Sequence, residues 1–170
     1  MISTDYVRTM AAYNRWQNGS LYAAAGAISD SERKRQRGAF FGSIHGTLSH
    51  ILWGDQLWLS RFTSTADSPP AVSAMAETAE LHPDWDELVA ARNVCNDAIA
   101  AWAENMDPAW LDGELTWTSA LGREFSQPKW LLATHMFNHQ THHRGQVHAM
   151  LTAAGARPDD TDMPLMPSSP

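Results

Sequence analysis

An all-α fold, a four-helix bundle with one short β-hairpin before its last helix, is predicted by three observations. Apolar residues recur three and four apart over four long stretches, strict alternation is confined to one short region, and no repeat or linker divides the chain. The first helix is expected over residues 4–27, where Tyr6, Met10, Tyr13, Gln17 and Leu21 keep the helical spacing. Ser29-Asp30-Ser31-Glu32 reads as a break, and a polar, basic connection follows to Phe40-Phe41-Gly42. Ser43 suits the N-cap of a second helix over residues 44–62. Its Ile44, Leu48, Ile51, Leu52, Leu57, Leu59 and Phe62 cover most of the circumference, as on a helix buried between neighbours.

Residues 64–80 contain Pro69-Pro70 and small polar side chains and read as a loop, long enough for a crossover connection in place of strict up-down order. Pro83 is placed for the first turn of a third helix. There Trp85, Leu88, Arg92, Cys95, Ile99 and Trp102 form a bundle-like seam. Cys95 lies on that seam, which predicts a buried structural thiol and not a nucleophile. Residues 114–118 and 123–125 alternate apolar with polar around Gly122, the pattern of a hairpin. Pro128 opens the fourth helix, expected to run to residue 154. Gly155 suits its C-terminal cap, and Pro158 forbids continuation. The tail, residues 159–170, is rich in proline and aspartate and is expected to lie irregularly on the surface. A length of 170 residues suits one domain, residues 1–170.

A formal charge of −7 argues against non-specific nucleic-acid binding. The basic run Arg33-Lys34-Arg35-Gln36-Arg37 is expected on a solvated loop. A lone cysteine excludes an internal disulfide and fits a reducing compartment. No uncharged apolar run is long enough to span a bilayer, and the N-terminus lacks the pattern of a signal peptide. A cytoplasmic protein with no nucleic-acid and no membrane partner is the expectation.

Histidine carries the functional signal, because five of the eight fall between His135 and His148. His139 and His143 are one helical turn apart and share a face. With the last helix laid out at 100° per residue and His139 at zero, Leu132, Met136, His143, Val147, Met150 and Ala154 fall within about 80°. Trp130, Phe137, Arg144 and His148 fall on the opposite side, and His135 and His142 on one flank. The pair is thus expected in the middle of an apolar stripe, pointing into the core. Buried imidazoles need partners. Either they are bonded to carbonyls or tyrosines, or they hold a metal, and two on one face favour the metal. A third ligand must come from another helix. The second helix offers His45 and His50, five apart. His50 shares its stripe with Ser43, Thr47, Gly54, Leu57, Trp58 and Arg61, so Gly54 could leave room above a metal and Trp58 and Arg61 could line a cleft. The pair is not the His-Glu-x-x-His of zincin proteases, since Gln140 stands in the glutamate position. No nucleophile elbow or phosphate-binding glycine loop occurs.

Three stretches resemble the DinB/YfiT-like family of metal-dependent enzymes, which is distinct from the DNA polymerase of similar name. They are Tyr13-Asn14-Arg15-Trp16-Gln17-Asn18; Gly42-Ser43-Ile44-His45-Gly46-Thr47-Leu48-Ser49-His50-Ile51-Leu52 with Asp55, Trp58 and Arg61; and Asn138-His139-Gln140-Thr141-His142-His143-Arg144-Gly145-Gln146. Asp160-Thr161-Asp162-Met163-Pro164 is similar to the family's tail. The resemblance implies a four-helix bundle with an unusual crossover order, often a homodimer, and a divalent metal, commonly nickel or zinc, on three histidines. Carried onto this chain, the ligands are His50, His139 and His143; it is the resemblance that selects His50 over His45.

Three functions are then expected in competition. The first is an enzyme with an open coordination position, either a transferase using a low-molecular-weight thiol such as bacillithiol or mycothiol, or a hydrolase. The transferase is preferred on the resemblance alone, its other partner being a small-molecule substrate, and no residue stands out as general base. The second is a non-catalytic metal- or ligand-binding protein of the stress response. The third is a metal-free helical interaction protein using Trp130, Phe137 and His148 as a partner surface. Gln146, one turn past His143, is placed either to support that histidine or merely to pack.

Overall fold

The structure is a computed structural model and describes residues 2–63, 68–119 and 123–167. It is mostly helical. Helix α1 (Thr4–Gly26) starts where the Ser3 hydroxyl accepts from the Tyr6 amide. Helix α2 (Asp30–Lys34) is a short turn that the sequence pattern presents as a break. The Ser29 side chain caps it by accepting from the Glu32 amide. Four more elements follow: α3 (Ile44–Thr63), α4 (Trp85–Glu104) and the antiparallel strands β1 (Glu114–Thr118) and β2 (Glu124–Pro128). Last comes α5 (Lys129–Ala153). Ser43 does cap α3, its hydroxyl accepting from the Gly46 amide. Helix α4 begins at Trp85 with Asp84 as cap, so Pro83 lies just outside the helix and not in its first turn. The hairpin pairs Trp117 with Phe125, and Gly122, expected at its turn, lies outside the described residues. Helix α5 closes with Gly155 at φ +82°, where the Ala156 amide reaches back to the Leu151 carbonyl and the Gly155 amide to that of Thr152. This double bond pattern needs a left-handed residue, which glycine adopts without a Cβ clash.

Helix α1 packs on α4 and α5, and α3 packs on the same two, which puts α1 and α3 at diagonal corners. Helices α3 and α4 stand side by side and run parallel, His45 meeting Trp85 near their starts and Phe62 stacking on Trp102 near their ends, so the connection between them must run back along the bundle and is the crossover. Part of that connection is ordered as a 3₁₀ segment, Met75–Glu80, lying against α3. The loop expectation for residues 64–80 is corrected there; residues 64–67 lie outside the described ones. The tail is irregular, with one 3₁₀ turn at Met163–Leu165. It is tied to α1 by bonds from Tyr13 to the Thr161 carbonyl and from Gln17 to that of Asp160.

The core runs through Leu21, Ile44, Leu48, Ile51, Leu52, Leu88, Ile99, Met136 and Leu151. Cys95 is buried on the α4 seam, and burial pushes its thiol up to about 11, as fits a structural thiol. Two expectations fail because α5 is enclosed on both sides, by α1 and by α3. Phe137 and Arg144, assigned to an outward face, are buried. Phe137 meets Tyr6 edge-on, and Arg144 donates to Asn14. Phe137 therefore takes no part in the partner surface expected of it with Trp130 and His148. The basic run is corrected in part: Arg33 is buried, donates to the Ala25 and Ile28 carbonyls and stacks on Trp85, while Lys34 and Arg35 are exposed as expected and, with Arg37, pair with Asp30 and Glu32. No helix among the described residues is long and apolar enough to cross a membrane.

The deepest polar element joins three helices. Both Asp55 oxygens are used: Oδ2 accepts from Arg92 of α4 at 2.6 Å and Oδ1 from Gln140 of α5 at 2.7 Å. All three residues are buried. Removing one partner from such a pair strands the other charge in the core. Asp55→Ala is expected to lower stability by about 3–5 kcal/mol, measured by urea denaturation, because it leaves Arg92 and Gln140 without an acceptor.

Candidate metal centre

The packing of α3 against α5 brings one histidine of the former to two of the latter. His50, His139 and His143 each offer a ring nitrogen, and these three atoms lie within 4.8 Å of one another. Ring centroids are 5.0 Å apart for His50 and His139, 4.8 Å for His50 and His143, and 4.5 Å for His139 and His143. His45 is not part of the group. Its Nε2 faces the His82 carbonyl at 2.6 Å, on the far side of α3. Five residues along a helix turn a side chain by about 140°, so His45 and His50 cannot serve one point. His135 and His142 are exposed.

Hydrogen bonds set the tautomers. The Thr78 hydroxyl donates to the Met75 carbonyl at 2.6 Å, so its oxygen accepts from Nδ1–H of His50 at 2.9 Å. That leaves the Nε2 lone pair of His50 facing Nε2 of His139 at 3.0 Å. Nδ1–H of His143 donates to Oε1 of Gln146 at 2.8 Å, which frees its Nε2 in the same way. Ligand imidazoles are oriented by such bonds from the opposite ring nitrogen. Gln146 therefore supports His143. Thr78, on the 3₁₀ segment of the crossover, does the same for His50, and no sequence motif points to it.

Shape completes the fit. A Cβ built on Gly54 would stand 3.1 Å from Cε1 of His139, so the glycine makes room for that ring and not for space above a metal. Phe41 stacks on His50 with centroids 3.7 Å apart and meets His143 edge-on at 5.4 Å. Trp53 stacks on His50 more loosely, at 6.2 Å. The helical-stripe expectation needs one correction. The buried arc of α5 is centred on Gln140, which is wholly buried, and the two histidines lie along its edge. His50 and His143 are buried, whereas His139 is half-buried. The three nitrogens thus converge at an edge of the bundle, where His139 is partly exposed.

Burial holds all three imidazoles neutral. It pushes His50 down to about 3 and His139 to about 4, with their histidine neighbours adding to the effect, and it lowers His143. Neutral imidazole is the form that binds a metal. Three such donors, with no carboxylate in the group, suit a divalent transition metal such as zinc or nickel.

The DinB family model matches residues 1–169. No curated protein matches the sequence. Among solved structures, the chain is similar to a DinB-like protein from Bacillus cereus, at 17% identity and a TM-score of 0.54 over 86% of this chain and 91% of that one. At this identity the likeness concerns the fold.

Two outcomes follow from the geometry. Gly54→Val, which presses on the His139 ring, is expected to weaken zinc binding at least about tenfold while helical circular dichroism is retained, as is Gln146→Ala, which frees His143. The second concerns acid. Each folded-state histidine value lies below the 6.5 of a free imidazole, so the unfolded chain takes up protons first. The histidine contribution to stability is full above pH 6.5 and is lost as pH falls through about 4 toward about 3. Thermal melts of metal-free protein across that range report it.

Proposed function

The chain belongs to the DinB family, and from that premise we propose that His50, His139 and His143 hold one divalent metal ion, nickel or zinc, in a transferase that uses a low-molecular-weight thiol. The observation that carries this reading is the convergence of three neutral nitrogen donors at the edge of the bundle, two of them with their far nitrogens already engaged. Bound there, the metal would supply a charge not offset by any anionic ligand, which lowers the pKa of a thiol or water at an open position.

The chain's own residues do the rest. Thr78 and Gln146 keep the Nδ1 protons of His50 and His143 away from the donor side. Phe41 and Trp53 cover the His50 ring and keep water from it. Half-exposed His139 marks the side from which a small molecule arrives. Asp55, the acid nearest to these histidines along α3, is committed to Arg92 and Gln140, and no carboxylate joins the histidine group among the described residues. A site without a carboxylate base suits a thiol better than water, because a thiol ionises near pH 8.5 unaided and water far higher.

Elemental analysis of protein purified without a metal-binding tag tests the centre directly, with one metal per chain expected. His139→Ala or His143→Ala is expected to remove most of the metal, and His135→Ala or His142→Ala to retain it; equal loss from all four would overturn the assignment. A scan of thiols and electrophiles with metal-loaded protein tests the chemistry. No turnover in any class, with a cobalt-substituted centre that shows no exchangeable ligand, would make the chain a non-catalytic metal-binding protein.

A further inference from the structure

We propose that Arg61, framed by Trp58 and Trp117 beside the histidine cluster, binds the anionic end of the small molecule that reacts there. The inference rests on the metal-centre reading for the word "reacts"; the anion site itself stands on separate residues.

Arg61 lies on the face of α3 that carries His50, Gly54 and Trp58. Its guanidinium sits 4.8 Å from the Trp58 ring centre and 5.6 Å from that of Trp117 on the hairpin. The two indoles are nearly perpendicular, at 76°. At that angle at most one ring can lie flat on the guanidinium, and neither contact takes up a conventional hydrogen bond at its N–H edge, a fork matched to carboxylate or phosphate oxygens. Among the described residues no acceptor meets that edge and no carboxylate pairs with the charge. Most other cations of this acidic chain are paired, including Arg8, Arg15, the 33–37 run and Arg92. Arg123 likewise has no carboxylate partner among the described residues. It stacks on Phe125, which stacks in turn on Trp117. Two free guanidiniums are therefore gathered along one aromatic ladder in a chain of net charge −7. Arg61 is half-buried, and an oriented, partly desolvated cation attracts an anion more strongly than a solvated one.

The ladder is continuous with the histidine cluster. The Trp58 ring is 5.2 Å from that of His135, which is 5.9 Å from that of His139. His50 and Arg61 are eleven residues apart on one helix, a rise of about 16 Å. Helix side chains lean toward the N-terminus, so the guanidinium reaches back and the span to the cluster is on the order of 10–15 Å. The fitting ligand is an extended small molecule, about three or four peptide units long, with a carboxylate or phosphate at the end remote from its reacting atom.

The test uses full-length chain stripped of metal, so that an added anion has no ion to ligate. Trp58 and Trp117 report through fluorescence as succinate and, separately, inorganic phosphate are titrated at constant ionic strength. A saturable change is expected that weakens at least tenfold in Arg61→Gln, is partly kept in Arg61→Lys, and is unaltered in His139→Ala. Response to succinate alone identifies a carboxylate ligand, and response to phosphate alone a phosphoryl one. No saturable change with either probe, or an unchanged response in Arg61→Gln with native circular dichroism, overturns the assignment. Zinc titration of the same samples separates the two readings. One zinc per chain without an anion response removes the Arg61 site alone, whereas an Arg61-dependent response without zinc binding removes the metal centre and leaves the anion site standing.

Discussion

One carboxylate sets the geometry on which the site depends. Asp55 spends one oxygen on Arg92 and the other on Gln140, and so ties α3 to α4 and to α5 from the middle of the core. Its sequence neighbours explain the consequence. Gly54 precedes Asp55 and faces the His139 ring; His139 precedes Gln140. A slide of either helix that moved His139 off Gly54 would also stretch the Asp55–Gln140 bond. A buried charged pair contributes little net stability compared with apolar packing, yet it penalises every arrangement in which it is broken. Here that penalty falls on the same α3–α5 register that brings three imidazoles together.

The cluster draws on segments outside the bundle as much as on the helices. Helices supply the three nitrogens and, through Gln146 and Trp53, part of their support, and irregular chain supplies the rest. Phe41 comes from the connection before α3, and Thr78 from the 3₁₀ segment that the crossover lays against α3. This division follows from what each can do. A helix holds two donors four residues apart at a set spacing. On α5 it also supports His143 through Gln146, three residues on, whereas the far nitrogen of His50 is met from outside the helix by Thr78. The hairpin adds a further wall, placing Trp117 against Trp58 and so extending the aromatic surface beyond His135.

Position at the edge of α5's buried arc reconciles two demands. Imidazoles in the centre of the core would be neutral but closed to any ligand. At the surface they would be open but hydrated and protonated more readily. His50 and His143 are buried and His139 half-buried, so the values stay low while one side remains accessible. Neutrality here has a stated cause, desolvation first and mutual repulsion of the imidazolium forms second, and both vanish when the chain unfolds.

Periodicity was enough to determine the four long helices, the hairpin and the buried Cys95, because each is a local pattern of apolar spacing or of caps such as Ser43 and Gly155. It also paired His139 with His143, since residues four apart on a helix meet whatever surrounds them. The choice of His50 over His45 came from resemblance and not from spacing; the structure explains it by the turn of about 140° between them. Tertiary structure decided the remainder. Phe137 and Arg144 lie opposite the histidines on a helical wheel, and only the presence of α1 on that side buries them. Thr78 carries no signal of its own, since its role depends on where a crossover of irregular sequence comes to rest. Local spacing dictates which residues share a face. What each face meets depends on the order in which the helices pack, and that order is a property of the whole chain.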